Sequence, residues 1–217
     1  MRRTRLVLLA AAVSAVPLAA AQADEPSAPA SPQAIVEYYE GPAKEYDQDL
    51  NAATKKATRA LKSKLKKKPK KPAIVFDIDD TLESTYRCAK AKNFDRREIT
   101  ICQARTDQDP IRPVWRLLKA AQKRKVKIIL ITGRPQGFAN ATREQLRRDG
   151  LRGKYTLRMK GNSDNRDAKT FKTEARRKLQ RSRKLKILVN IGDQRSDIDG
   201  AASGTRVKVP NPMYFTP

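Results

Sequence analysis

Three carboxylates crowd into four positions at the end of an apolar run. They are Asp77, Asp79 and Asp80, in the stretch Ala73-Ile-Val-Phe-Asp-Ile-Asp-Asp-Thr-Leu82. Acids this close repel one another unless a cation or a proton intervenes, so a fold keeps them for catalysis or for metal. The chain contains no histidine, which removes every mechanism that needs imidazole and makes carboxylates the leading candidates. A calcium loop counted from Asp77 wants glycine at its sixth place and glutamate at its twelfth. Leu82 and Cys88 stand there, so that reading fails. An acidic turn that caps a helix is the plainer alternative. The remaining chemistry is phosphoryl transfer. Asp77 attacks phosphorus in line and forms an aspartyl phosphate, while Asp79 protonates the leaving oxygen and later takes a proton from water. Two carboxylates facing a phosphate dianion need a hard divalent cation between them, and all-oxygen ligation suits Mg2+.

Two further apolar runs end in polar signatures. Val126 to Ile131 leads into Thr132-Gly133-Arg134-Pro135, where the Thr132 hydroxyl and the Gly133 amide can bind phosphoryl oxygens. Leu185 to Ile191 leads into Gly192-Asp193-Gln194-Arg195-Ser196-Asp197. Asp193 is placed as a further metal ligand. Asp197, one helical turn on, binds the metal directly or through water. Helix capping for Asp193 and a supporting role for Asp197 are the plainer readings. A lysine is also needed to neutralise the transferred group. Lys169 and Lys172 both lie near a helix start, and spacing does not choose between them.

The elements that carry these residues follow from hydrophobic pattern. Continuous apolar runs read as strands buried on both faces, as in a parallel sheet. Helices alternate with them. Tyr46, Leu50, Ala53, Ala57, Leu61 and Leu65 recur at helical spacing until Pro69 and Pro72 end the pattern. Pro113 opens a helix through Trp115, Leu117, Leu118 and Ala121. A polar helix spans about 136–148, a strand 155–159, and a basic helix 167–179. This order predicts an α/β fold with a mainly parallel sheet, whose ligands sit at the C-terminal strand ends. Residues 83–110 are polar and weakly patterned, which fits a small cap inserted after the first strand.

The chain's ends and charge bound its setting. Arg2, Arg3 and Arg5, the apolar run Leu6 to Ala20, and Ala21-Gln22-Ala23 read as a secretory signal over 1–23. Secretion without a permanent membrane anchor is expected, because the run is too short to remain as a span. Residues 24–32 read as a flexible leader and 33–217 as one domain. The formal net charge is +25, and removing the three signal arginines leaves +22 (25 − 3). Lys55 to Lys71 holds ten basic residues and no acid. A solvated helix face running into a basic linker is the plain reading. Contact with a polyanion is the functional one, and no aromatic residue interleaves the run to stack bases. In a secreted chain Cys88 and Cys102 predict a disulfide closing a loop of about 15 residues, contributing roughly 3 kcal/mol.

Together these motifs resemble the four signatures of the haloacid dehalogenase (HAD) superfamily: DIDDT, the strand ending in Thr132, a downstream lysine, and GDxxSD. Phe171-Lys-Thr-Glu-Ala-Arg176 resembles the YKSxxR pattern of its acid phosphatase branch, subfamily IIIB. That branch includes class B and class C bacterial enzymes and plant vegetative storage proteins. Val209-Pro-Asn-Pro-Met-Tyr214 resembles the branch's closing LPNPMY. The resemblance runs from about Ile35 to Phe215. It implies a Rossmann-like core, magnesium, a nucleophile at Asp77, an acid/base at Asp79 and a phosphate lysine at Lys172. It also implies that the Asp79 main-chain carbonyl, with Asp77, Asp193 and Asp197, binds the metal. Arg195 stands where the branch usually has tryptophan. The expected function is a secreted, Mg2+-dependent acid phosphatase acting on small phosphate monoesters, with an acidic optimum because a carboxylic acid donor must be partly protonated. The alternatives are a non-catalytic polyanion-binding or storage protein, and a phosphatase for nucleotides or nucleic acid ends.

Overall fold

The computed structural model describes residues 30–216; the signal assigned to 1–23 and most of the leader assigned to 24–32 lie outside the described residues. Helix α1 (Pro32–Glu40) starts at the last residue assigned to the leader, and Ser31 caps it by accepting from the Ala34 amide. No periodic pattern marked this helix in the sequence. Helix α2 (Glu45–Lys66) follows. It buries Leu50, Thr54, Ala57 and Leu61, a stripe at intervals of four, three and four residues that faces the sheet. Lys67 to Lys71 then turn the chain into strand β1 (Pro72–Phe76).

Successive residues of β1 point to opposite faces. Ile74 and Phe76 join a core with α2, whereas Ala73 and Val75 join a second core on the other side. That alternation explains why the run is apolar throughout: the strand is central and covered twice. Antiparallel strands β2 (Glu83–Ser84) and β3 (Asp109–Pro110) close the base of an excursion holding α3 (Tyr86–Ala91) and α4 (Arg96–Arg105). A Cys88–Cys102 disulfide ties these two helices together. Helix α5 (Arg112–Lys123) returns to the core, and its Trp115 indole donates to the Leu82 carbonyl.

Strand β4 (Lys127–Pro135) runs beyond the apolar residues that marked it. The polar helix expected over 136–148 divides into a 3-10 turn, Gln136–Phe138, and α6 (Ala139–Arg148). Strand β5 (Tyr155–Lys160) precedes α7 (Ala168–Ser182), whose N-cap Asp167 accepts from the Thr170 amide. Strand β6 (Lys186–Gly192), the single turn α8 (Arg195–Ile198) and the edge strand β7 (Thr205–Lys208) complete the order. The short β7 has one buried apolar residue, Val207, and therefore left no pattern to read.

The main sheet has the order β5-β4-β1-β6-β7, and every pairing in it is parallel. Phe76 stands beside Leu130 on β4 and Ile191 on β6. The C-terminal ends of these three strands therefore lie along one edge of the sheet. This register brings DIDDT, TGR and GDQRSD together. Helices α2, α5 and α6 cover one face of the sheet and α7 the other. No described helix is long and apolar enough to cross a membrane.

Candidate active site

Asp77, Asp193 and Asp197 are buried, and each offers a carboxylate oxygen within 4.8 Å of the others. The Asp77 amide continues the β1–β6 ladder by donating to the Ile191 carbonyl, so the nucleophile candidate leaves directly from the strand end. Gly192 lets the chain turn back: a Cβ there would stand 2.3 Å from the Asp197 Cβ. Asp197 in turn caps the start of α8, accepting from the Gln194 amide at 2.9 Å. Asp193 accepts from Thr81 Oγ1 (3.0 Å), Gln194 Nε2 (2.8 Å) and Asn211 Nδ2 (2.7 Å). Three donors fix its orientation.

Burial pushes the Asp77 carboxyl well above the usual carboxylate range; Lys172 pulls against this, while Asp197, Asp193 and Asp79 add to it. Burial, then Asp197 and Asp80, raise Asp193 to about 7. The set is thus all-oxygen, crowded and short of positive charge, which fits a hard divalent cation. Lys172 supplies the nearby charge. Its ammonium pairs with Asp77 at 2.5 Å and also with Asp197. Burial opposes its charge, but Asp197 and Asp77 outweigh that and hold its pKa above the ordinary lysine value. Of the two lysines that spacing left open, Lys172 is buried beside the aspartates and Lys169 is exposed.

The Asp79 carboxylate is not in this cluster. It faces Arg134, which donates from Nε at 3.0 Å and from Nη2 at 2.8 Å. Nη1 of the same guanidinium reaches Thr142 Oγ1 and Gln145 Oε1, and Gln145 Nε2 continues to Gln108 Oε1 at 2.7 Å. Gln108 donates to the carbonyls of Cys102 and Gln103. One chain of hydrogen bonds therefore joins Asp79 to the end of α4. Sequence reasoning did not single out Arg134, although it stands in the TGR signature. Burial works against its charge, and Asp79 more than compensates by raising its pKa.

Thr132 is buried within β4, where the apolar run stops, and its hydroxyl accepts from the Arg134 amide. Gly133 is exposed and lines the pocket, with open space where a side chain would stand. Arg176, the last residue of the FKTEAR segment, is fully buried beneath the site. It donates to the main-chain carbonyls of Asp197, Asp199 and Ala201, so it braces the α8 turn and does not reach the pocket. Arg195 sits half-buried at the start of α8.

Asp80 takes a left-handed conformation (φ 53°) and turns away from the cluster. It accepts from the Thr85 amide and hydroxyl and from the Tyr214 hydroxyl at 2.8 Å. Burial raises its pKa to about 6, against these hydrogen bonds. The closing VPNPMY segment thus contributes twice, through Asn211 on Asp193 and Tyr214 on Asp80. Glu83 lies deeper, and its two oxygens accept no hydrogen bond from any described donor. Burial and then the Asp149 charge push it up to about 9.

Asp77, Asp79, Lys172, Asp193 and Asp197 line a pocket of about 590 Å³. Its walls include Arg96, Ile101 and Gln103 of α4, Tyr214 packed against Arg96 and Gln103, and also Phe138 and Lys160. The wall from α4 was invisible in the sequence because its residues have no chemistry of their own. The basic residues of 55–71 do not line this pocket.

A profile of the HAD superfamily, subfamily IIIB (Acid phosphatase), matches residues 4–217. The chain is 28% identical over 188 residues to Acid phosphatase 1 of Solanum lycopersicum, covering 83% of this chain and 72% of that protein. It is 25% identical over 195 residues to Vegetative storage protein 1 of Arabidopsis thaliana, covering 87% and 72%. In fold it is similar to the class C acid phosphatase from Bacillus anthracis, with a TM-score of 0.65 at 20% identity over 85% of each chain. The chain belongs to subfamily IIIB of the HAD superfamily, the acid phosphatases, and is a phosphoric monoester hydrolase.

Proposed function

We propose that the protein is a secreted, Mg2+-dependent acid phosphatase that hydrolyses small phosphate monoesters through an aspartyl phosphate on Asp77. One observation carries this reading: Asp77, Asp193, Asp197 and Lys172 converge from two strand ends and two helices on the floor of an open pocket. A carboxylate oxygen of Asp77 attacks phosphorus while the bond to the leaving oxygen breaks. Asp79 gives that oxygen its proton and the alcohol departs. Water then attacks the phosphorus, the bond to Asp77 breaks, and Asp79 takes the proton from the water. Lys172 holds its positive charge beside the transferred group, and Gly133 lines the same pocket. Magnesium held by Asp77, Asp193, Asp197 and the Asp79 main-chain carbonyl would offset the charge of the incoming dianion. Thr132 supports the TGR segment in this reading by accepting from the Arg134 amide.

The exposed apolar side chains Ile101 and Phe138 flank the pocket, with Arg96 and Lys160 beside them. They support a leaving group with a flat apolar body, such as an aryl alcohol. The signal-like residues 1–23 support secretion. Turnover of nitrophenyl phosphate tests the mechanism. It is expected to vanish in Asp77→Asn, and to stop with a chelator and return with added Mg2+. Full activity in the Asn variant would overturn the role of Asp77.

A further inference from the structure

The basic run takes no part in the pocket, yet its arrangement on α2 is ordered. Lys55, Arg59, Lys62 and Lys66 follow at intervals of four, three and four, all exposed, opposite the buried Leu50, Ala57 and Leu61. Helix α5 lies beside α2 on the same face of the sheet, and both lead into parallel strands. A groove of about 460 Å³ runs between them, with Lys55 and Arg59 on one wall and Arg116 on the other. Among the described residues none of these three cations pairs with a carboxylate or donates a hydrogen bond. Residues 50–76 and 110–143 contain no Asp or Glu, so neither wall carries a neutralising charge. Cations gathered this way gain by releasing the counterions of a polyanion.

We propose that this groove binds the phosphate ridge of a duplex nucleic acid without reading its bases. Single strands are held largely by stacking on aromatic rings, and no aromatic residue lines the groove. Membrane surfaces take large apolar side chains set beside basic ones. Among the described residues the exposed large apolar ones, Ile101, Phe138 and Phe215, lie elsewhere. A concave channel between two helices also suits a ridge of phosphates better than a flat plane of headgroups. The inference is independent of the catalytic reading, since the groove and the pocket share no residue.

The test is binding of the full chain to a short blunt DNA duplex over a range of salt concentrations. The variant Lys55→Gln/Arg59→Gln/Arg116→Gln is expected to bind at least roughly tenfold more weakly at low salt. Its slope of log affinity against log salt should be shallower by about 2.7, near 0.9 for each phosphate that is no longer neutralised. A control variant, Arg177→Gln/Lys178→Gln/Arg181→Gln, removes the same charge from α7 on the opposite face and should leave the slope near that of the unmodified chain. Should the groove variant not melt cooperatively, Arg116→Gln alone is expected to lower the slope by about 0.9. Equal losses in the two triple variants would show diffuse attraction and overturn the proposal. So would tighter binding to a single strand of the same length, or binding to anionic vesicles that depends on the groove while the duplex is ignored.

Discussion

Arg134 changes how Asp79 must be understood at the residue scale. A free carboxylate in the pocket would be a proton carrier limited only by solvent; held in two hydrogen bonds to a buried guanidinium, it has one orientation. Removing one partner of a buried ion pair leaves the other unpaired, a loss of about 3–5 kcal/mol. Arg134→Gln should therefore lower the melting temperature. It should also slow alkyl phosphates by roughly 10²-fold or more, the usual scale for general acid catalysis. Nitrophenyl phosphate should suffer less, since nitrophenolate leaves without a proton. Equal losses on both substrates would show that Arg134 does not act through Asp79. Glu83 sets a different pH dependence. Its carboxyl has an ordinary pKa of 4.5 and a folded value of about 9. Below the first both states hold the proton and nothing is lost. Between the two only the unfolded chain ionises, so stability falls as pH rises and the loss levels off above the second. Glu83→Gln cannot ionise. Its melting temperature should match that of the unmodified protein at pH near 4 and exceed it at pH near 8. A variant that melts lower at the higher pH would contradict this account.

Helix α4 forms one wall of the pocket, and its position rests on a small set of anchors. Asp95 caps its start through the Arg97 and Glu98 amides, Gln108 holds its last carbonyls, and the disulfide anchors it to α3. Ile99 and Cys102 are buried on its inner side, and Ile101 faces out toward the pocket. A bridge closing a loop of this size contributes about 3 kcal/mol. The double variant Cys88→Ser/Cys102→Ser should be destabilised by roughly that amount in denaturant unfolding. Its KM for an aryl phosphate should rise more than its kcat falls, because the wall moves while the floor stays. A fall in kcat alone would place α4 closer to the chemistry than the structure does. The C-terminal segment is the other holding element, with Asn211 on Asp193 and Tyr214 on Asp80.

For the molecule as a whole, charge is distributed unevenly. The surface is strongly cationic, with a formal net charge of +25, while the floor of the pocket concentrates buried aspartates. Their mutual repulsion opposes folding, and a cation beside Lys172 would relieve it. Magnesium should therefore raise the melting temperature of the intact chain, by the equivalent of about 2.7 kcal/mol when present at 100 times its dissociation constant. Thermal unfolding with and without Mg2+ checks this, with Asp193→Asn as the comparison that should lose most of the gain. Identical shifts in both proteins would show that the ion acts elsewhere.

Much of this architecture could be read before any coordinates. Three apolar runs with polar ends, separated by helical patterns, implied a parallel sheet and one reactive edge, because apolar continuity and chain direction are local properties. Asp77, Asp193 and Asp197 announced themselves in the same way, as acids at strand ends. The edge strand β7 and helix α1 stayed hidden because each buries too little to leave a period. The motif resemblance pointed to Lys172, and only the tertiary structure buried it against Asp77 and Asp197, since depth depends on how α7 packs and not on spacing. Only it joined Arg134 to Asp79 across 55 residues, and set Arg116 opposite Lys55 and Arg59. Residue types and periods are written along the chain. Which side chains meet is decided by register and packing, and those join positions that the sequence keeps far apart.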